Sequence, residues 1–167
     1  MKKGVLILLA SGGLLATAFA LKKKFRELNE TGALPDEPVF GQFVTKYGVQ
    51  ITPHFNSSEF RCTQSGGNFR ISVELVQALE RLRAHWNKPM FITSGYRTPA
   101  YNATLQGASP TSYHLLGMAA DVHINGVSVA ELDNVAAASD MFGGRGLYFK
   151  DGFNHLDVGR TRQPWTG

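Results

Sequence analysis

The run Ser112-Tyr113-His114-Leu115-Leu116-Gly117-Met118-Ala119-Ala120-Asp121, with His155-Leu156-Asp157 downstream, is the densest grouping of potential metal ligands in the sequence. Histidine nitrogen and aspartate oxygen bind zinc at about 2.0–2.2 Å, and a catalytic zinc takes three protein ligands and keeps a fourth tetrahedral position open. Cys62 is the only cysteine. That excludes an internal disulfide and a multi-cysteine zinc site, so a metal here must rest on imidazole and carboxylate. Cys62 itself reads as a small core residue, since its Phe-Arg-Cys-Thr surroundings offer no base. The spacing of His114 and Asp121 does not match the i, i+4 pairing of two ligands on one helix. A loop is therefore expected between them, with Gly117 giving the turn and Ala119 small enough to lie under the metal-bearing layer. His155 and Asp157 alternate on a strand and point to one face. His155 then completes the ligand set and Asp157 stays within its reach. His123 shares a strand face with Asp121 and is a spare candidate ligand. His54 and His85 are read as non-catalytic, His85 because it ends a helix, where a cation suits the dipole.

The elements that must position these residues can be read from periodicity. His54 to Phe60 offers Asn and Ser caps and a short helical turn. From about Ser72 to Trp86, Leu75, Leu79, Leu82 and Trp86 share one helical face, and Glu80, Arg81 and Arg83 are assigned to the other. Met90 to Thr93 reads as a short buried strand running into the turn-rich Ser94-Gly95-Tyr96-Arg97-Thr98-Pro99. Gly117 to Ile124 is a second strand. Ser128-Val129-Ala130-Glu131 is a capping box that opens a helix to about Met141. Gly146–Phe149 and Asn154–Val158 form a hairpin around Lys150-Asp151-Gly152-Phe153. The fold class is α+β: a small, largely antiparallel sheet with packed helices, polar residues of two strands facing one cleft, and an apolar helix before it. Tyr96 and Tyr113 are expected as cleft walls. Gly143-Gly144-Arg145-Gly146 lacks the strand-loop-helix context of a phosphate cradle and reads as a flexible approach to the hairpin.

At 167 residues the chain accommodates one domain and an appendage. The net charge of +4 is concentrated near the start, at Lys2, Lys3, Lys22, Lys23, Lys24 and Arg26, and no basic stripe interleaved with aromatics follows. This argues for a membrane flank and against nucleic acid as a partner. Residues 4–21 form an uncharged apolar run just long enough to cross a bilayer. Ala18-Phe19-Ala20 also resembles a signal-peptidase site, but the three lysines after it favour an uncleaved anchor. The expected organisation is a membrane anchor or signal segment at 1–24, a linker at 25–53 and the domain at 54–167. The expected location is a membrane facing the periplasm or cell wall, or a virion membrane, with secretion if the segment is cleaved.

Ser-x-His-x-x-Gly-x-Ala-x-Asp at 112–121, preceded by Ser94-Gly95-Tyr96-Arg97 and followed by His155-Leu156-Asp157, resembles the M15-like zinc D-Ala-D-Ala carboxypeptidase and murein endopeptidase family. The resemblance covers residues 54–160. It implies a zinc peptidase that cuts bonds involving D-amino acids in peptidoglycan stem peptides or cross-links. It further implies His114 and Asp121 as zinc ligands and Arg97 as the group that stabilises the scissile carbonyl oxygen. Two departures from the family pattern bear on the remaining roles. Many relatives carry an acid three residues before the last zinc histidine, where this chain has Gly152. Others have His-x-His in place of His-x-Asp, which would make Asp157 the ligand and His155 its catalytic neighbour. Imidazole is the commoner zinc donor, so His155 is taken as third ligand and Asp157 as general base or orienting partner. In that mechanism zinc lowers the pKa of water toward 7, Asp157 takes its proton, and Arg97 with zinc holds the oxyanion. A guanidinium can instead recognise a terminal carboxylate. The reading from a different class is a catalytically inactive wall-binding or structural module on the same fold. Size and anchor suit a bacteriophage virion component as well as a host enzyme.

Overall fold

The computed structural model describes residues 41–62 and 69–167. The apolar run 4–21 lies outside the described residues, and within them no helix is long and apolar enough to cross a membrane. Ser72 caps helix α1, Val73–Ala84, by accepting the Leu75 N–H. Leu75, Val76, Leu79 and Leu82 are fully buried on it, the i, i+3, i+4 stripe that drives an amphipathic helix onto a sheet. The second long helix, Val129–Ser139, begins where the Ser128 side chain accepts the Glu131 N–H and ends at Asp140 in the left-handed region, φ 56. A short helix, Pro99–Asn102, separates the two, so they are α1 and α3, with α2 between.

The strands are β1 (Phe43–Val44), β2 (Gln50–Thr52), β3 (Phe55–Asn56), β4 (Ile71–Ser72), β5 (Met90–Ser94), β6 (Ala119–Ile124), β7 (Gly144–Tyr148), β8 (Phe153–Asp157) and β9 (Trp165–Thr166). The main sheet has the order β5-β6-β8-β7-β9, while β1 pairs with β4 and β2 with β3. Every pairing is antiparallel except β7 with β9, which is parallel. Strand alternation divides β6 cleanly. Ala120, Val122 and Ile124 join Leu156 of β8 and the apolar faces of α1 and α3 in the core, and Asp121 and His123 face the other way.

Two features differ from the sequence expectation. Residues 43–52, read as linker, contribute β1 and β2, which pair with strands of the domain. Glu80 and Arg81, assigned to an exposed helix face, are buried at 5% and 6% exposure. For Glu80 the cause is the β2–β3 hairpin, which meets α1 through Thr52 and His54. Glu80 Oε2 accepts from the Thr52 hydroxyl at 2.6 Å and the His54 N–H at 3.0 Å, and Oε1 lies 2.5 Å from His54 Nδ1. A carboxylate withdrawn from water is tolerated only when its oxygens are satisfied in this way. His54 is thus part of a clamp between hairpin and helix.

Candidate metal centre

His114 sits in a 3₁₀ turn, Tyr113–Leu116, started by the Ser112 side chain and closed by Gly117 at φ 68. Gly117 is required twice over: its backbone is left-handed, and a Cβ there would strike the Arg70 carbonyl. Asp121 and His155 are direct cross-strand partners in the β6–β8 register. The loop and the sheet therefore deliver the three side chains to one point. His114 Nε2 lies 3.2 Å from Asp121 Oδ1 and 3.1 Å from His155 Nδ1, and His155 Nδ1 lies 3.0 Å from Asp121 Oδ1.

The outer hydrogen bonds decide what these inner atoms present. His114 Nδ1 is 2.6 Å from the Gly95 carbonyl oxygen, which can only accept, so the proton is on Nδ1. His155 Nε2 is 3.0 Å from Asp157 Oδ2, which places its proton on Nε2. With both rings neutral, Nε2 of His114 and Nδ1 of His155 carry bare lone pairs and face a carboxylate oxygen. Three lone pairs at this separation repel unless a cation or a proton lies among them. Donors at about 2.0–2.1 Å from a tetrahedral ion stand about 3.3–3.4 Å apart, so a triangle with edges of 3.0–3.2 Å fits such an ion with little movement. His114, Asp121 and His155 are the one group of this kind among the described residues.

Without an ion, a proton held among these inner atoms takes the cation's place. Burial opposes the Asp121 charge, but the two histidines' charges and hydrogen bonds outweigh it and hold the carboxyl well below its usual range. Burial keeps His114 neutral, pushing it below 6.5. At His155 burial acts the same way, yet hydrogen bonds to Asp121 and Asp157 and their charges prevail and raise it. Arg97 donates from Nη2 to Asp121 Oδ2 at 2.5 Å and from Nε to the Ser94 hydroxyl at 2.9 Å, leaving Asp121 Oδ1 as the inward donor. The three candidate ligands and Arg97 line an open cleft of about 860 Å³.

A family model described as Peptidase M15 matches residues 53–157, a span that contains every candidate ligand. The chain belongs to the peptidase M15 family. Two relatives, Peptidoglycan L,D-endopeptidase MepK of Escherichia coli strain K12 and the protein of the same name from Shigella flexneri, are each 38% identical to it over 79 residues. That stretch is 45% of this chain and 43% of each relative, so the M15 chain spans less than half the length of these curated relatives.

Of the residues expected at the site, this M15 domain brings together His114, Asp121, His155 and Arg97. Asp157 is adjacent but differently placed: it is fully buried, and it bonds the outer nitrogen of His155 instead of facing the cleft. His123 shares the face of Asp121 but is not part of the ligand group; it stacks on Phe91, with ring centroids 5.1 Å apart. Tyr113 lines the cleft, whereas Tyr96 is a core residue packed edge-on against Phe69. Sequence reasoning overlooked Arg162 and Trp165, which also line the cleft. The available signal was Gly159, a turn immediately after the ligand strand that sends the following residues back past the site.

Proposed function

We propose that this chain is a zinc-dependent peptidase that hydrolyses amide bonds in peptidoglycan peptides. The observation that supports it most is the convergence of three lone pairs from His114, Asp121 and His155, fixed by outer hydrogen bonds, at the wall of an open cleft. An imidazole–carboxylate–imidazole set suits zinc. Zinc bound there would supply an activated water at neutral pH and polarise the scissile carbonyl. Arg97 keeps Asp121 to a single inward oxygen and adds positive charge to the cleft wall, where a carbonyl oxygen becoming negative is stabilised. Asp157 fixes the proton of His155 on Nε2 and so frees Nδ1. Its burial favours this orienting role over that of general base. Tyr148, Phe153 and Trp165 give the cleft aromatic walls against which a peptide can pack.

Cleavage beside D-amino acids follows from the motif resemblance, and endopeptidase action on an L,D bond from the name of the two relatives. Residues 4–21 and their flanking lysines support a membrane-held protein that faces the wall of a cell or belongs to a virion. A second reading, a wall-binding module without turnover, is favoured by one observation: among the described residues lining the cleft, Asp121 is the single carboxylate. The full chain in detergent, assayed for bound metal and for fragments released from purified peptidoglycan with and without chelator, separates the two. One zinc per chain with chelator-sensitive release supports the peptidase, and fragment masses name the bond. Zinc without release supports the binding module, and absence of zinc removes the basis of the peptidase reading.

A further inference from the structure

Behind His155 the site has an outer layer supplied by residues 159–167. The Gly159 N–H donates to Asp157 Oδ1 at 2.9 Å, and the chain then returns alongside β7, where Trp165 and Thr166 pair with Gly146 and Leu147. Arg162 lies within this return. Its Nη2 donates to Asp157 Oδ2 and its Nη1 lies 3.5 Å from Oδ1. Its guanidinium carbon is 5.0 Å from the Tyr113 ring centroid and 4.9 Å from that of Trp165, so the cation is held between two aromatic rings. The backbone holds this assembly in place. Arg162 N–H donates to the Gly143 carbonyl at 2.9 Å, and Arg160 N–H donates to the Tyr113 hydroxyl at 3.1 Å.

Three glycines leave the space it fills. A Cβ at Gly144 would strike both Asp157 Oδ2 and Arg162, one at Gly146 would approach the Trp165 ring to 2.7 Å, and one at Gly159 would strike the Tyr113 ring. Gly144 and Gly146 stand two apart on β7, opposite Asp157 and His155 of β8, so strand alternation puts both vacated positions on the cleft face.

We infer that Arg162 is a positioning residue: by holding the Asp157 carboxylate against His155 Nε2, it keeps His155 Nδ1 turned toward His114 and Asp121. This rests on the reading of those three residues as metal ligands. Asp157 is fully buried and Oδ2 receives both His155 and Arg162. Removing the guanidinium strips that carboxylate of its cation and of its fixed plane. The histidine's orienting partner is then left with the Gly159 N–H to fix it. Outer partners of metal-binding histidines typically contribute about 10–100-fold in affinity or activity. Lysine keeps the charge but lacks the planar fork and the stacking, so it restores only part of the effect.

The test uses the full chain in detergent and two readouts: zinc affinity by competition with a chromophoric chelator, and kcat and KM on soluble cross-linked muropeptides. Arg162→Ala is expected to weaken zinc binding about 10–100-fold and to lower kcat with KM little changed. Arg162→Lys is expected to fall between, and Arg160→Ala, the same charge change at an exposed position, to match wild type in zinc affinity. Arg162→Lys carries the test by itself if the alanine variant does not fold. Zinc affinity within twofold of wild type in a folded Arg162 variant overturns the inference and leaves the ligand assignment standing. A raised KM with unchanged zinc affinity also overturns it, assigning Arg162, which is 36% exposed, to substrate. Wild type that binds no zinc defeats the ligand assignment itself.

Discussion

Two acceptors outside the ligand triangle, the Gly95 carbonyl and the Asp157 carboxylate, set the state of the two histidines inside it. Each takes the outer ring N–H, so each ring when neutral turns a lone pair inward without needing a metal to select the tautomer. The two rings nonetheless differ toward protons. His114 is held neutral by burial. His155 is held above its ordinary 6.5 by its two carboxylate neighbours, so of the two rings it keeps a proton to the higher pH in the metal-free protein and is the one that an ion must clear. The sign follows: affinity for zinc falls as pH falls through the raised His155 value and levels off above it. We expect a slope of about tenfold per pH unit on the acid side, one proton being released for each ion bound, checked by chelator competition from pH 5.5 to 8.5. A flat profile would mean that ion binding releases no proton from His155.

The elements fix which residues meet. The β6–β8 register sets Asp121 against His155, and a slip of one residue would send His155 into the core and bring Leu156 into the cleft. The β2–β3 hairpin is fastened to α1 through Glu80, whose carboxylate serves Thr52 and His54. Glu80→Ala leaves the buried Thr52 hydroxyl without its acceptor and frees His54, and we expect a loss of about 1–3 kcal/mol in thermal or urea unfolding, without change in zinc affinity, because the clamp shares no residue with the site. At this scale the sequence was a good guide where a pattern is local. The apolar stripe of α1, the Ser128 cap and the Gly152 hairpin are all found, because period and turn chemistry act over a few residues. Burial of Glu80 was not legible, because what covers it comes from a distant hairpin. Strand β9 is two residues long and owes its place to contacts with β7, so no periodicity announces it.

On the scale of the whole molecule, one face of the sheet is covered by α1 and α3 and the other carries the cleft, so a single strand alternation separates stability from chemistry. The Peptidase M15 match ends at Asp157, yet Arg162 and Trp165, beyond it, complete the cleft wall. The convergence of His114, Asp121 and His155 was legible from residue type and spacing. The placement of Asp157 behind His155, and the guanidinium behind Asp157, required the return of the chain after Gly159. The central claim is that these three side chains hold zinc through two imidazoles and one carboxylate. X-ray absorption at the zinc edge of the zinc-loaded full chain tests it most directly. Two imidazole nitrogens and additional oxygen, all at about 2.0–2.1 Å, and no sulfur are expected. A third imidazole, a sulfur at about 2.3 Å, or an ion coordinated by water alone would contradict it.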